Sequence, residues 1–114
     1  IISRGAVIGM PMDAWMMVPG WVRGESTPIN KNVSLHTLID HLVHICDLAG
    51  NTDHVGLGTD LDGGFGKEQC PADLETIADL QKLPELLLKR GFSTEDIVKF
   101  SHSNWLTFLE KAWS

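Results

Sequence analysis

Three hydrophobic patterns follow one another in this chain, and together they leave few folds open. Residues 6–10 (Ala-Val-Ile-Gly-Met) form a continuous apolar run between Gly5 and Pro11, as in a strand buried on both faces. Leu35, Leu38, Ile39, Leu42, Cys46 and Ala49 then recur at helical spacing. Ser34 stands before them as an N-cap and Gly50 after them as a stop. The stretch His54-Val55-Gly56-Leu57-Gly58-Thr59-Asp60 alternates strictly and reads as a second strand. Strand, helix, strand calls for a parallel pair joined by a right-handed crossover. Two strands alone bury too little, so the pair needs neighbours.

Outside this unit, residues 11–32 carry Pro11, Pro19, Gly20, Gly24 and Pro28 with Trp15 and Trp21. A loop of that length in a compact domain is either functional or a packed surface loop. Beyond a glycine-rich turn at 63–66, the spacing predicts a helix from Pro71 to Lys82. A short helix should open at Pro84 and close at Gly91. Ser93 with Asp96 forms a capping-box start, and a last helix runs through Trp105, Leu106, Phe108, Leu109 and Trp113. The expected class is α/β, in a single βαβα segment over residues 1–114. Because it starts at Ile1 without an initiator methionine, the segment is expected to come from inside a longer protein.

With 15 acidic and 9 basic residues the formal net charge is −6. No basic stripe is available to neutralise phosphates, which argues against nucleic acid as a partner. No apolar run approaches the roughly 18 residues of a membrane span, and no signal-peptide pattern is present. Cys46 and Cys70 show no CxxC pairing; Cys46, on the apolar helix face, reads as a small hydrophobe rather than half of a disulfide. This cysteine usage and the missing signal pattern favour the cytoplasm.

Chemistry concentrates at the end of the second strand. Alternation places Val55, Leu57 and Thr59 on one face and Gly56, Gly58 and Asp60 on the other. That second face carries no side chain until it ends in a carboxylate. At the C-terminal mouth of a barrel, such a group can take a proton from an activated water and return it to a leaving amine. Asp and Gly also cluster after strands for purely local reasons, so a simple turn is the competing reading. A Rossmann fingerprint and a P-loop both fail at Leu61, and an EF-hand loop fails at Gly64 and Pro71. His36, His41 and His44 lie on one helix without a third converging ligand, and no HxD or HExxH motif occurs. These residues therefore supply no metal ligands.

Three stretches, read together, resemble the renal-dipeptidase (membrane dipeptidase) family of amidohydrolase-like barrels. Arg4-Gly5-Ala6-Val7-Ile8-Gly9 is similar to that family's seventh strand. Asp53-His54-Val55-Gly56-Leu57-Gly58-Thr59-Asp60-Leu61-Asp62-Gly63 is similar to its eighth strand, and is the most specific of the three. Leu83 to Leu87, Arg90-Gly91, Ser93 to Asp96 and Ser103-Asn104-Trp105 resemble its closing helices. Where the family often has Gly-Asn-Asn-Leu-Leu-Arg, this chain has Ser103-Asn104-Trp105-Leu106-Thr107 and no arginine.

The resemblance implies a (β/α)₈ barrel of which this chain is roughly the last quarter to third. It implies hydrolysis of dipeptides with two zinc ions, their ligands lying upstream of Ile1. It makes Asp60 the catalytic and substrate-contacting carboxylate, brings Met12 and Gly63 near substrate, and sets the Trp15–Trp21 loop at the mouth. Homo-oligomerisation or association with the rest of the barrel is then expected, and the isolated segment should be inactive. A non-catalytic, degenerate family member, or a small α/β packing module, is the alternative.

Overall fold

The computed structural model describes residues 1–114. β1 (Ile8–Met10) and β2 (Val55–Leu57) pair in parallel, with Ile8 opposite Val55, Gly9 opposite Gly56 and Met10 opposite Leu57. Between them run a one-turn helix, α1 (Ala14–Met17), and the long α2 (Leu35–Ala49). The chain is thus α/β with a two-stranded parallel sheet, in the strand–helix–strand order expected from the sequence, with α1 an added turn inside the expected 11–32 loop. Both strands are shorter than the apolar runs that announced them.

α2 begins where the sequence says it should. The Ser34 hydroxyl accepts from the His36 N–H, Thr37 accepts from the Ser34 N–H, and Gly50 closes the helix in the left-handed region at φ 73°. Its apolar stripe is the centre of the core: Leu35, Leu38, Ile39 and Leu42 are buried against Met10, Met12 and Val55. Burying a Leu or Ile side chain contributes about 1.5–3 kcal/mol. Cys46 is half-buried beside this core rather than within it, and both cysteines are free thiols. Burial, helped by Asp47 and Asp96, pushes the Cys46 thiol up to about 11.

Residues 71–76 depart from the expected helix. The Ala72 N–H donates to Val33 O and the Asp73 carboxylate accepts from the Leu35 N–H, which ties this stretch to the start of α2. Asp79 accepts from the N–H groups of Glu75 and Thr76 and caps a 3₁₀ turn at Ile77–Gln81. Bonds to distant partners thus replace the i→i−4 ladder. α3 (Lys82–Lys89) follows directly, so Pro84 sits inside its first turn, where N–H groups have no helical partner in any case.

The final stretch is one continuous helical arm. α4 (Thr94–Val98) passes through a π-helical turn at Lys99–Ser103 into α5 (Asn104–Trp113). This arm returns to the sheet. Asn104, only 8 % exposed, donates from Nδ2 to Thr52 O and Val55 O at 2.7 Å each, and the Trp105 Nε1–H donates to Leu57 O at 2.9 Å. His54 O accepts from the Ile8 N–H, so the carbonyls of Val55 and Leu57 face the other edge of β2. Side chains of α5 therefore occupy the strand edge that β1 leaves open. The Trp105 ring also covers the glycine face of the sheet. A Cβ on Gly56 would fall 2.8 Å from Trp105 Cε2, and one on Gly9 would fall 3.4 Å from Cζ2.

No helix is long and apolar enough to cross a membrane.

Two stability predictions follow from these contacts. Gly56→Val should lose about 1–3 kcal/mol through overpacking, and combining it with Trp105→Ala should recover part of that loss. Urea midpoints of the two single variants and the double variant measure the coupling; strictly additive changes would contradict the contact. Asp96, held by the Thr52 hydroxyl and then by Ser93, has its carboxyl below the usual range. A lowered folded value contributes stability that is complete above the ordinary pKa near 4 and lost as pH falls through the lowered one. Asp96→Asn should therefore cost about 1 kcal/mol at pH 7. The gap to wild type should close progressively below about pH 4; a constant gap down to pH 2 would refute this assignment.

Candidate active site

Regular pairing of β1 with β2 stops just before the carboxylate. Ile8, opposite Val55, donates to the carbonyl one residue earlier, His54 O; Met12 donates instead to Thr59 O. The register has slipped by one residue, as at a bulge. Gly58 allows it, because a Cβ there would lie 3.0 Å from Gly9 Cα. Strict alternation thus ends at Leu57. Asp60 lies beyond the strand and begins a turn in the left-handed region at φ 58°, which aspartate tolerates better than most residues.

That turn closes with the Gly63 N–H donating to Asp60 O at 2.8 Å. A Cβ on Gly63 would sit 2.9 Å from Asp60 O and 2.7 Å from its carboxylate carbon. Gly63 therefore gives the Asp60 side chain its room. The two aspartates of the turn part company. Asp60 opens into a cleft of about 600 Å³ together with Gly63, Trp15 and Trp21. Asp62 instead lines a separate depression of about 520 Å³ with Thr59, Leu74 and Ile77.

The Asp60 cleft joins the loop after β1 to the loop after β2, at the C-terminal ends of two parallel strands. Asp13, 4 % exposed, fastens one loop to the other. Its Oδ1 accepts from the Trp15 N–H at the start of α1 and from Gln69 Nε2 in the 3₁₀ turn Lys67–Gln69. The Arg23 guanidinium lies 5.8 Å from the centroid of the Trp15 ring on the same cleft. Asp13, Arg23 and Gln69 were not singled out by sequence reasoning; an aspartate directly before a short helix after the first strand was the available signal for Asp13. Met12, expected near substrate, is fully buried in the core and does not line the cleft.

Two of the five histidines brace the backbone. His41 Nε2 lies 2.8 Å from Met17 O, linking α2 to α1, and His54 Nδ1 lies 2.9 Å from Ala6 O ahead of the strands. His102 is exposed next to Ser103. No group of three or more His, Cys, Asp or Glu side chains is arranged to hold a metal ion. The residues of this chain do not by themselves fit a zinc site.

Residues 1–113 match the family model described as membrane dipeptidase, peptidase family M19. Among curated proteins, the chain is 32 % identical over 83 residues to a dipeptidase of Schizosaccharomyces pombe, covering 70 % of this chain and 19 % of that protein. It is 30 % identical over 84 residues to the dipeptidase tcpJ of Claviceps purpurea, covering 71 % and 18 %. A protein encoded in the 5′ region of pqqA in Klebsiella pneumoniae is 28 % identical over 113 residues, covering 99 % and 38 %. No solved structure matches. The chain spans about a fifth of the length of the two dipeptidases, and since the family model runs from its first residue to its last but one, the chain belongs to the membrane dipeptidase family, M19.

Proposed function

We propose that the complete protein hydrolyses dipeptides, and that this chain supplies the last two strands of a (β/α)₈ barrel together with the proton-transferring carboxylate, Asp60. The observation that carries this reading is the shared cleft. Asp60 and the loop after β1 line one cavity at the C-terminal ends of parallel strands, the end at which barrel enzymes keep their chemistry. Membership of the family and the dipeptidase names of its relatives support the reaction class.

Within the cleft, Asp60 takes a proton from the attacking water as its oxygen adds to the scissile carbonyl. It returns that proton to the amine nitrogen as the C–N bond breaks. Gly63 and the left-handed turn keep the carboxylate exposed for this exchange, and Asp13 holds the facing loop in place. The zinc ions that the resemblance implies would take their ligands from parts of the protein outside these residues. The isolated chain is then inactive, and it associates with the rest of the barrel or with further copies.

The test is a pair of variants in the full-length protein assayed on a dipeptide, with zinc content measured in parallel. Asp60→Asn keeps the shape and removes the proton acceptor, so turnover should fall about 10²–10⁴-fold at unchanged metal content. Asp62→Asn, facing the other depression, should leave turnover within a few-fold of wild type. Near-normal turnover in Asp60→Asn, or a larger loss in Asp62→Asn, would assign the role to the wrong carboxylate. A wild-type protein that cleaves no dipeptide would favour a non-catalytic family member.

A further inference from the structure

We propose that residues 20–32, which face Asp60 across the cleft, form a flap that closes on that cleft as one preformed piece; this rests on the reading of the cleft as the substrate site. Hydrogen bonding in the segment turns inward. The Ser26 hydroxyl accepts from the Val22 N–H, and the N–H groups of Glu25 and Ser26 donate back to Val22 O. Asn30 Oδ1 accepts from the Thr27 N–H, the Asn30 N–H donates to Thr27 Oγ1, and Asn30 Nδ2 donates to Glu25 O. None of the segment's hydrogen bonds reaches the sheet, α2 or the Asp60 turn. Its charged residues Arg23, Glu25 and Lys31 take part in no ion pair.

Among residues 20–32 only Pro28 is buried, while Ile29 is 82 % and Val22 49 % exposed. A segment that satisfies its own polar groups and buries little surface is stiff within itself and weakly held to the body. Active-site lids are drawn from elements of this kind. The contacts that do reach the body are non-directional: Trp21 packs on the margin of the core, and the Arg23 guanidinium lies 5.8 Å from the Trp15 ring centroid. Two attachments remain. Gly20, in the left-handed region at φ 69°, can change its backbone angles without a side-chain clash. At the other end Pro28 and Val33 are buried and joined by the Val33 N–H donating to Pro28 O at 2.7 Å, which makes them the axle. Trp21, Gly24 and Thr27 stand on one wall of the cleft, with Asp60, Gly63 and Phe65 on the other. Asp13 clasps only the base, where α1 meets the 67–69 turn. Closing the flap brings the walls together and expels water from around Asp60, which strengthens its charge interactions and confines the proton it carries.

The experiment reads distances in the full-length protein, independently of turnover. Spin labels are placed pairwise at Ile29 on the flap and at Leu48 and Ile77 on the body, through an encoded unnatural residue that leaves Cys46 and Cys70 untouched. All three positions are exposed and none lines the Asp60 cleft. In the free protein the two Ile29 pairs should give broader distance distributions than the Leu48–Ile77 pair. A saturating dipeptide analogue with a reduced CH₂–NH linkage should narrow both and shift them by more than about 2 Å, with Leu48–Ile77 unmoved. Hydrogen exchange at the Ser26 and Lys31 amides should be the same with and without the analogue. Ile29 pairs as narrow as the body pair in the free protein, or unshifted at saturation, overturn the flap. Exchange protection that arises only with the analogue overturns the preformed piece, since the segment would then fold on its ligand. A flap that closes in a protein cleaving no dipeptide would sink the dipeptidase reading and leave the flap standing. Normal cleavage with immobile Ile29 pairs would sink the flap alone. If no analogue binds, the dipeptidase reading fails and the widths in the free protein decide the flap.

Discussion

Gly9 and Gly56 stand opposite each other in the two strands and leave one face of the sheet without side chains. Bare backbone on that face costs burial and exposes peptide groups, and the chain answers with a single large residue. Trp105 lies across both glycines and donates its indole N–H to Leu57 O, while Asn104 beside it satisfies Thr52 O and Val55 O. An open strand edge is a template for pairing with another chain. In this chain α5 engages the carbonyls of that edge; in the closed barrel proposed above, the first strand would take them instead and α5 would give way. The arm α4–π–α5 has its position because these three bonds and the indole-on-glycine packing give it one, and Trp105 in turn meets Phe108 edge-on at 6.5 Å.

Above this packed end of the sheet, order gives way to a different kind of geometry. The one-residue slip at Thr59 and the left-handed backbone of Asp60 turn the chain out of the strand. The result is two carboxylates two positions apart that face separate cavities. Asp13 joins the facing loops through one buried carboxylate, so that Trp15, Trp21 and Arg23 are held against the Asp60 turn. Irregular backbone forms the candidate site, on a regular pair of strands that carries the packing.

Much of this was legible in the residues. The stripe Leu35–Leu38–Ile39–Leu42 and the Ser34 cap specified α2 because periodicity and capping are local signals. The parallel pairing followed from element order. The helix expected over 71–82 was not realised over 71–76, because Ala72 and Asp73 bond to residues 33 and 35, far away in sequence. The left-handed turn at Asp60 escapes the sequence for a related reason: alternation is a rule for strands, and a register slip that ends the strand is invisible in the pattern. Gly58 was its one trace. Arg23 and Asp13 acquire meaning only when two loops meet, and composition carries no sign of that meeting. The closing motif did signal itself, since Asn104-Trp105 is where the arm touches β2.

The central claim is that the Asp60 turn and the loop after β1 form the substrate cleft of a dipeptidase barrel. A crystal structure of the full-length protein with a non-hydrolysable dipeptide analogue tests it most directly. The account predicts β1 and β2 as adjacent parallel strands of a closed sheet. It also predicts the analogue in the cleft with its peptide linkage within a hydrogen bond, or one water, of the Asp60 carboxylate. An analogue bound elsewhere, or strands that lie in an open sheet with Asp60 turned to bulk solvent, would contradict it.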